Sequence, residues 1–290
     1  MTEPIRLNPE CISCLLKSRL EKYPEDCSRE KKIEYMQRVL KTLSELKPHQ
    51  SAPIAAREIE KIQTELFGYT FDFSDTKRYF NNFIMKKVPV LKEQLETADD
   101  ALKLAIQFSM TGNYIDFGAV ENVNEKDLEG FIEHAEKLAV EATVYEQLKN
   151  ELLSAKIVVF LTDNCGEIVF DKLLIETIKK LYPHIRVTAI VRGEETGNDA
   201  TMVDAEQVNL FEVADVIGNG SDVLGTCMEL ISDEARTLIH EADVVLAKGQ
   251  GNFETLYGCG KNIFYIFLCK CEMFARRFGV PRFTGMLLRE

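Results

Sequence analysis

Histidine is scarce in this chain: His49, His134, His184 and His240 are the whole supply among 290 residues. Each falls in an expected loop or on a helix surface, away from the strand ends described below, so histidine is set aside as the catalytic base. Basic charge is also short. Lys and Arg number 35 against 47 Asp and Glu, a formal net charge of −12. That balance excludes nucleic acid as a general partner, because neutralising a phosphate backbone requires a basic face. A small anion can still bind in a locally positive pocket. No apolar run has the length needed to cross a bilayer, and the opening MTEPIRLNPE is polar where a signal peptide carries its apolar core. No membrane partner and a cytoplasmic location are therefore expected. No fixed-period repeat or low-complexity tract is visible.

With 46% hydrophobic and 28% charged residues the composition is that of a folded globular protein, long enough for one large domain or two modest ones. Eight cysteines in a chain of this size read as reduced thiols or metal ligands rather than as a disulfide framework.

The pattern divides near residue 154. Before it the spacing predicts an all-helical domain, residues 1–154, with breaks at Tyr23-Pro24, Lys47-Pro48, Gly68, Gly112 and Gly118. The candidate helices are Pro9–Lys22, Arg29–Leu46, Ala52–Leu66, Asp75–Leu95, Ala98–Met110, Glu125–Ala139 and Tyr145–Leu152, the fourth kinked or split at Pro89. After it, residues 155–290 alternate strand and helix, the rhythm of βαβ units on a mostly parallel sheet. Strands are expected at Ile157–Leu161, Arg186–Val191, Asp215–Ile217, Asp243–Ala247, Ile263–Leu268 and Gly285–Leu288. Helices are expected at Ile168–Leu181, Thr201–Val208, Ser232–His240 and Glu272–Phe278.

The chain is organised around KIVVFLTDNCGEIVFDKLLIETIKKL, residues 156–181. An apolar, β-branched run stops at Thr162-Asp163-Asn164-Cys165-Gly166-Glu167, and apolar residues then return at helical spacing. In an open α/β sheet the ligand crevice lies outside the carboxyl ends of the strands, which puts Asp163 and Asn164 at its mouth beside a helix N-terminus. Three further strand ends add polar loops: Arg192–Asp199, Asn219–Asp222 and Lys248–Glu254. Asp163, Asn164 and Asp199 offer oxygen donors that suit a hard divalent ion such as Mg²⁺ or Mn²⁺. Lys248 is a point charge for a phosphate oxygen, Gly249 and Gly251 allow close backbone approach, and Glu167 can orient a metal-bound water or take its proton. The plainer reading of each is a turn or helix cap with a solvated lysine. Their joint placement at successive strand ends favours the chemical one.

Asp-Asn-x-Gly-Glu at 163–167, Asn-Asp-Ala-Thr-Met-x-Asp-Ala at 198–205 and Lys-Gly-Gln-Gly-Asn-Phe-Glu-Thr-Leu at 248–256 together resemble the family filed as domain of unknown function 89. Its members are metal-dependent damage-control phosphatases, one branch being the acidic-residue-methyltransferase-like proteins. Cys11-Ile12-Ser13-Cys14-Leu15 and Gly112-Asn113-Tyr114-Ile115-Asp116-Phe117-Gly118 are similar to features of its stand-alone prokaryotic branch, so the likeness covers nearly the whole chain. The resemblance implies a Rossmann-like α/β/α sandwich with a mostly parallel sheet beneath an N-terminal helical domain. It implies one divalent cation (Mn, Mg, Co or Ni) on Asp163, Asn164 and Asp199. It also implies a small phosphorylated metabolite handled by Lys248 and the Gly249–Glu254 loop, with Lys270 as a second basic group. Glu167, Asn219, Gly249, Gly251, Asn252, Glu254, Lys270 and Asn113 complete the expected substrate contacts. For Asn113 and Asp116 a helix cap with a turn and a loop closing over substrate stay equally open. The chain departs from the family pattern at Cys165, where a small residue such as alanine is expected; a packing role is preferred over an oxidation-sensitive thiol.

Cys11 and Cys14, three apart on one helix face, are either a redox or half-metal pair or two packed small residues. Cys227 and Cys259 read as packing residues. The function expected is hydrolysis of small phosphate monoesters, sugar phosphates or damaged phosphometabolites. The alternatives are a nucleotide- or adenosylmethionine-binding protein such as a methyltransferase, and a metal-binding module without turnover. Against the first alternative, the opening strand–turn–helix lacks G-x-G-x-x-G and carries acids that repel a pyrophosphate.

Overall fold

The computed structural model describes residues 4–20, 23–24, 26–47, 49–68, 72–116 and 123–290. The expected helix end at Lys22, the breaks at Pro48 and Gly118 and the Phe117-Gly118 part of the glycine-bounded motif lie outside them. Eight α-helices precede the first strand among these residues: α1 Pro9–Arg19, α2 Arg29–Glu45, α3 Ala52–Phe67, α4 Ser74–Met85, α5 Val88–Thr97, α6 Ala101–Gly112, α7 Glu125–Glu133 and α8 Ala142–Ser154. The expected long fourth helix is split into α4 and α5, with Pro89 in the first turn of α5, where its missing N–H costs nothing. Helix α7 stops six residues short of the expected Ala139. His134 leaves helical geometry there, and a short 3₁₀ turn, Ala135–Lys137, follows.

The strands are β1 Ile157–Leu161, β2 Arg186–Val191, β3 Asp215–Gly218, β4 Val244–Lys248, β5 Ile263–Leu268 and β6 Gly285–Arg289. They form one sheet in the order β3-β2-β1-β4-β5-β6, parallel except for β6, which runs antiparallel to β5. Val158 of β1 pairs with Val187 of β2 on one side and Val244 of β4 on the other. The order therefore reverses between β1 and β4, and the crevice beyond their carboxyl ends is where a Rossmann-like sheet binds its ligand. Helices α9 Glu167–Leu181, α10 Met202–Gln207, α11 Asp233–Glu241, α12 Gly249–Leu256 and α13 Glu272–Phe278 join the strands. Helix α12 corrects the reading of Lys248–Glu254 as a loop: Lys248 closes β4 and the helix starts at Gly249.

Strand alternation sorts the core into two faces. Val158, Phe160, Val187, Ala189, Leu246, Phe264 and Ile266 pack with α4, α6, α8 and α9. Val159, Leu161, Ile190, Val245, Ala247, Tyr265 and Phe267 pack with α11, α12 and α13. The result is an α/β/α sandwich whose first face is covered largely by helices from the N-terminal half. A separate small core, with Tyr35, Val39, Ala55, Ile59 and Ile62, joins α2 to α3.

Helix α4 is pinned to the sheet layer by polar contacts inside the core. Asn81 accepts the Gly166 N–H at 2.6 Å and donates to Asp204 at 2.8 Å, while Lys77 pairs with Asp204 at 2.8 Å. Both partners of that ion pair are buried, so removing the cation leaves a carboxylate without charge compensation. We predict that Lys77→Met lowers unfolding free energy by about 3 kcal/mol in denaturant melts, and that adding Asp204→Asn restores part of it. A loss under 1 kcal/mol would mean that Asp204 is stabilised by its other hydrogen bonds alone.

Candidate metal and phosphate site

Two loops that are far apart in sequence are joined by backbone pairing at the switch point. The Ala200 N–H donates to the Asp163 carbonyl at 2.7 Å, the Cys165 N–H donates to the Asn198 carbonyl at 2.8 Å, and Asn164 and Asp199 form an isolated antiparallel bridge. This brings together the three expected metal ligands. Arg192, at the end of β2, spans the two acids: its Nε donates to Asp199 Oδ2 at 2.6 Å and its Nη2 lies 3.5 Å from Asp163 Oδ1.

Asp163 is further held by two amides. Asn113 Nδ2 donates to its Oδ2 at 3.0 Å and Asn164 Nδ2 to the same oxygen at 2.6 Å. Asn113 follows α6, whose terminal Gly112 touches α9: a Cβ there would stand 2.7 Å from the Phe170 ring. That close approach lets Asn113 reach Glu167 as well, at 3.0 Å, while its Oδ1 accepts the Leu268 N–H at 3.0 Å. Asn113 thus ties β1, α9 and β5 together. Asp116 instead pairs with Lys270 at 2.6 Å.

Behind this layer lies a second cluster. Lys248 is fully buried; its ammonium pairs with Glu167 and, at 3.0 Å, with Asp171, and donates to the Ser109 carbonyl at 3.0 Å. Its three donors are thereby engaged, and Lys270 is the lysine that faces the cavity. Glu167 accepts from Lys248, Asn113 and Asn164, the last at 2.8 Å. Four buried carboxylates, Asp163, Glu167, Asp171 and Asp199, thus share two cations, Arg192 and Lys248. The consequence appears in their proton affinities. Desolvation, then the charges of Asp199 and Glu167, raise Asp163 well above the usual carboxylate range. Burial pushes Asp199 up to about 6 against the pull of Arg192, and Asp171 up to about 7 against that of Lys248.

A cavity of about 420 Å³ opens in front of the first layer. Asp163, Asn164, Asp199, Lys270, Gly251 and Glu254 border it from the sheet side, and α1 and α3 border it from the other. Partial burial pushes Glu254 up to about 7, with Gln250 donating to it at 2.8 Å. Two expected substrate contacts serve the loops instead. Asn219 Oδ1 accepts the Gly193 and Ser221 N–H groups at 2.8 and 2.9 Å, and Asn252 donates to the Thr162 and Lys248 carbonyls at 3.1 and 2.6 Å. All eight cysteines are free thiols. Cys165 is buried as a packing residue, whereas Cys259 is exposed and corrects the packing role expected of it.

Comparison with known proteins places the chain in a family. Residues 7–285 match the model of the damage-control phosphatase ARMT1-like domain. The chain belongs to that family. It is 34% identical to a damage-control phosphatase of Archaeoglobus fulgidus, over 95% of this chain and 96% of that protein. A damage-control phosphatase of Pyrococcus horikoshii is 28% identical over 98% of each. The crystal structure of a DUF89 family protein from Pyrococcus horikoshii superposes with a TM-score of 0.80 at 27% identity, covering 98% of this chain and 99% of that one. The family places the chain among phosphatases of damaged metabolites and carries with it the expectation of a divalent metal. Among the described residues no group of three or more His, Cys, Asp or Glu stands in a metal-holding arrangement. The trio Asp163, Asn164 and Asp199 contains only two acids, with an amide as its third member.

Arg192 and Asp171 carried a readable signal that the expected site did not include. Arg192 directly follows a strand, as Asp163 nearly does, and Asp171 lies four residues after Glu167 on one helix face. Gly249, at φ +80°, has no room for a side chain: a Cβ would sit 1.9 Å from Asp163 Oδ2. We predict that Gly249→Ala displaces that carboxylate and cuts kcat by roughly a hundredfold with the fold retained by circular dichroism; an unchanged kcat would show that the carboxylate position is not critical. For Asp171, a pKa raised by folding means that the folded state prefers the proton, so its cost is absent below about 4, grows up to about 7 and stays constant above. Asp171→Asn is expected to flatten the decline of Tm across that window, measured by thermal melts from pH 4 to 8; parallel profiles would remove Asp171 as the cause.

Proposed function

We propose that the chain hydrolyses small phosphate monoesters with the help of one divalent cation held by Asp163, Asn164 and Asp199. The observation that carries this reading is the charge imbalance at the switch point. With all four ionised, the carboxylates would exceed the two cations by two negative charges; the raised proton affinities of Asp163, Asp199 and Asp171 express that excess, and a divalent ion would balance it in place of protons. The donor set fits Mg²⁺, Mn²⁺ or a similar ion: oxygen ligands only, with one face open to the cavity. Such a cation, when bound, neutralises phosphoryl oxygens and lowers the pKa of a water.

The protein's own residues divide the remaining work. Lys270, on the cavity wall and 2.8 Å from the Asn113 carbonyl, presents a positive charge to the phosphate. Asn113 and Asn164 donate to one oxygen of Asp163 and so fix which oxygen faces the cavity. Glu167, saturated by Lys248 and two amides, acts through Asn164 as a positioning residue, and Lys248 holds it there. Glu254, pushed to about 7 beside the cavity, carries a proton that a departing alkoxide can take at neutral pH. Free thiols throughout suit a reducing compartment such as the cytoplasm. No helix among the described residues is long and apolar enough to cross a membrane.

Asp163→Asn tests the reading. It should abolish the Tm gain produced by millimolar Mn²⁺ and reduce phosphate release at least a hundredfold, while metal-free stability holds or rises because a desolvated charge is gone. Retention of either the metal-induced Tm gain or the turnover would overturn the assignment of Asp163.

A further inference from the structure

The Cys11 and Cys14 pair of α1 has no part in the metal and phosphate site, yet the fold brings it a third thiol. Cys14 is exposed and lines the cavity, and Cys11 lies three residues before it on the same helix face. Cys271 caps the start of α13, directly after Lys270. Gln250 Oε1, on the cavity wall, accepts the Lys270 and Cys271 N–H groups, each at 3.3 Å. An ion pair between Glu10 and Arg276 joins α1 to α13. The three thiols stand within electrostatic reach of one another, and Cys11 and Cys271 also within that of Glu254. On Cys11 the charge of Cys271 acts more strongly than that of Cys14, its own neighbour on the helix.

Packing explains this grouping poorly, because Cys14 is exposed and Cys11 and Cys271 are only partly buried. Among the described residues no three His, Cys, Asp or Glu stand in a metal-holding arrangement, whereas a disulfide needs only two sulfurs. We propose that Cys14 and Cys271 are an oxidisable pair, which closes into a disulfide along one edge of the cavity when a peroxide reaches Cys14. Exposure makes Cys14 the first to react. Burial raises the proton affinity of Cys271, and that of Cys11 up to about 11, so both stay protonated at neutral pH. Cys11 is the poorer partner for Cys14: on one helix their Cβ atoms stand about 5–6 Å apart, against ~3.8 Å in a disulfide. Closing that pair would distort the turn, while Cys271 approaches from a separate element.

In the first step the Cys14 sulfur attacks a peroxide oxygen, the O–O bond breaks, and one water leaves with Cys14 as a sulfenic acid. The Cys271 sulfur then attacks the Cys14 sulfur. The S–O bond breaks, and its oxygen leaves as a second water with the Cys271 proton. Two thiols have lost two electrons and the peroxide has gained them. The bridge ties α1, on one wall, to the residue after Lys270, on the other, and so slows the passage of substrate and product. That consequence rests on the phosphatase reading of the cavity; the bridge itself does not.

The test treats the full chain with hydrogen peroxide, removes the excess with catalase, digests with trypsin without reduction and maps the peptides by mass spectrometry. Residues 7–17 should be found linked to residues 271–276 in wild type and in Cys11→Ser, and unlinked in Cys14→Ser and Cys271→Ser. Oxidised wild type should melt above the reduced protein, because the bridge constrains most of the unfolded chain. With Mn²⁺, its release of phosphate from p-nitrophenyl phosphate should fall roughly tenfold and recover in dithiothreitol, while oxidised Cys271→Ser keeps the activity it had when reduced. A disulfide confined to residues 7–17, or none, would overturn the proposal. An equal loss of turnover in oxidised Cys271→Ser would overturn the bridge's control of the cavity. Should the reduced protein release no phosphate at all, the phosphatase reading fails on its own, and the linked peptides with the raised Tm still decide for or against the pair.

Discussion

The crowding of carboxylates at the switch point is the constraint on which the rest of the site depends. Water would ordinarily solvate such groups, and burying them is costly unless charge and hydrogen bonds replace it. Here the replacement is built in two layers: Arg192 spans Asp163 and Asp199 in front, and Lys248 spans Glu167 and Asp171 behind. The amides of Asn113 and Asn164 connect the layers. The arrangement remains short of positive charge, which is the property a metal-dependent phosphatase requires before its ion and its phosphate arrive.

That shortage explains the local design around it. Gly112 brings α6 against α9 so that Asn113 reaches across, and Gly249 brings the start of α12 against Asp163. The backbone pairing between the loops after β1 and β2 holds Asp199 beside Asn164 without using either side chain. The scaffold thereby sets the positions of these side chains independently of their own hydrogen bonds. The helical half contributes more than a cover: α6 supplies part of the charge cluster's frame, while α1 and α3 supply the far wall of the cavity.

Much of this was legible in the linear chain. Apolar runs bounded by polar turns after 156 placed all six strands within one or two residues, because strands covered on both faces read as continuous apolar stretches. Three strand-end motifs named the oxygen donors and the family. What was not legible is informative. Lys248 read as a charge for a phosphate oxygen, since sequence does not reveal that Glu167, Asp171 and the Ser109 carbonyl converge on it. The Lys248–Glu254 stretch read as a loop, because two glycines lower helix propensity and only packing against β4 and β5 restores it. The approach of Cys271 to the Cys11 and Cys14 pair gave no signal, since the two helices lie at opposite ends of the chain.

Sequence by itself determined the strand and helix succession and the residue types able to hold a divalent ion, because these follow from periodicity and donor chemistry, which are local; the layer order was implied by the family resemblance. Tertiary structure alone decided which acids share a cation and which lysine faces the cavity. Those outcomes depend on distances between residues up to 157 positions apart, such as Asn113 and Lys270, and on water being excluded from the space between them.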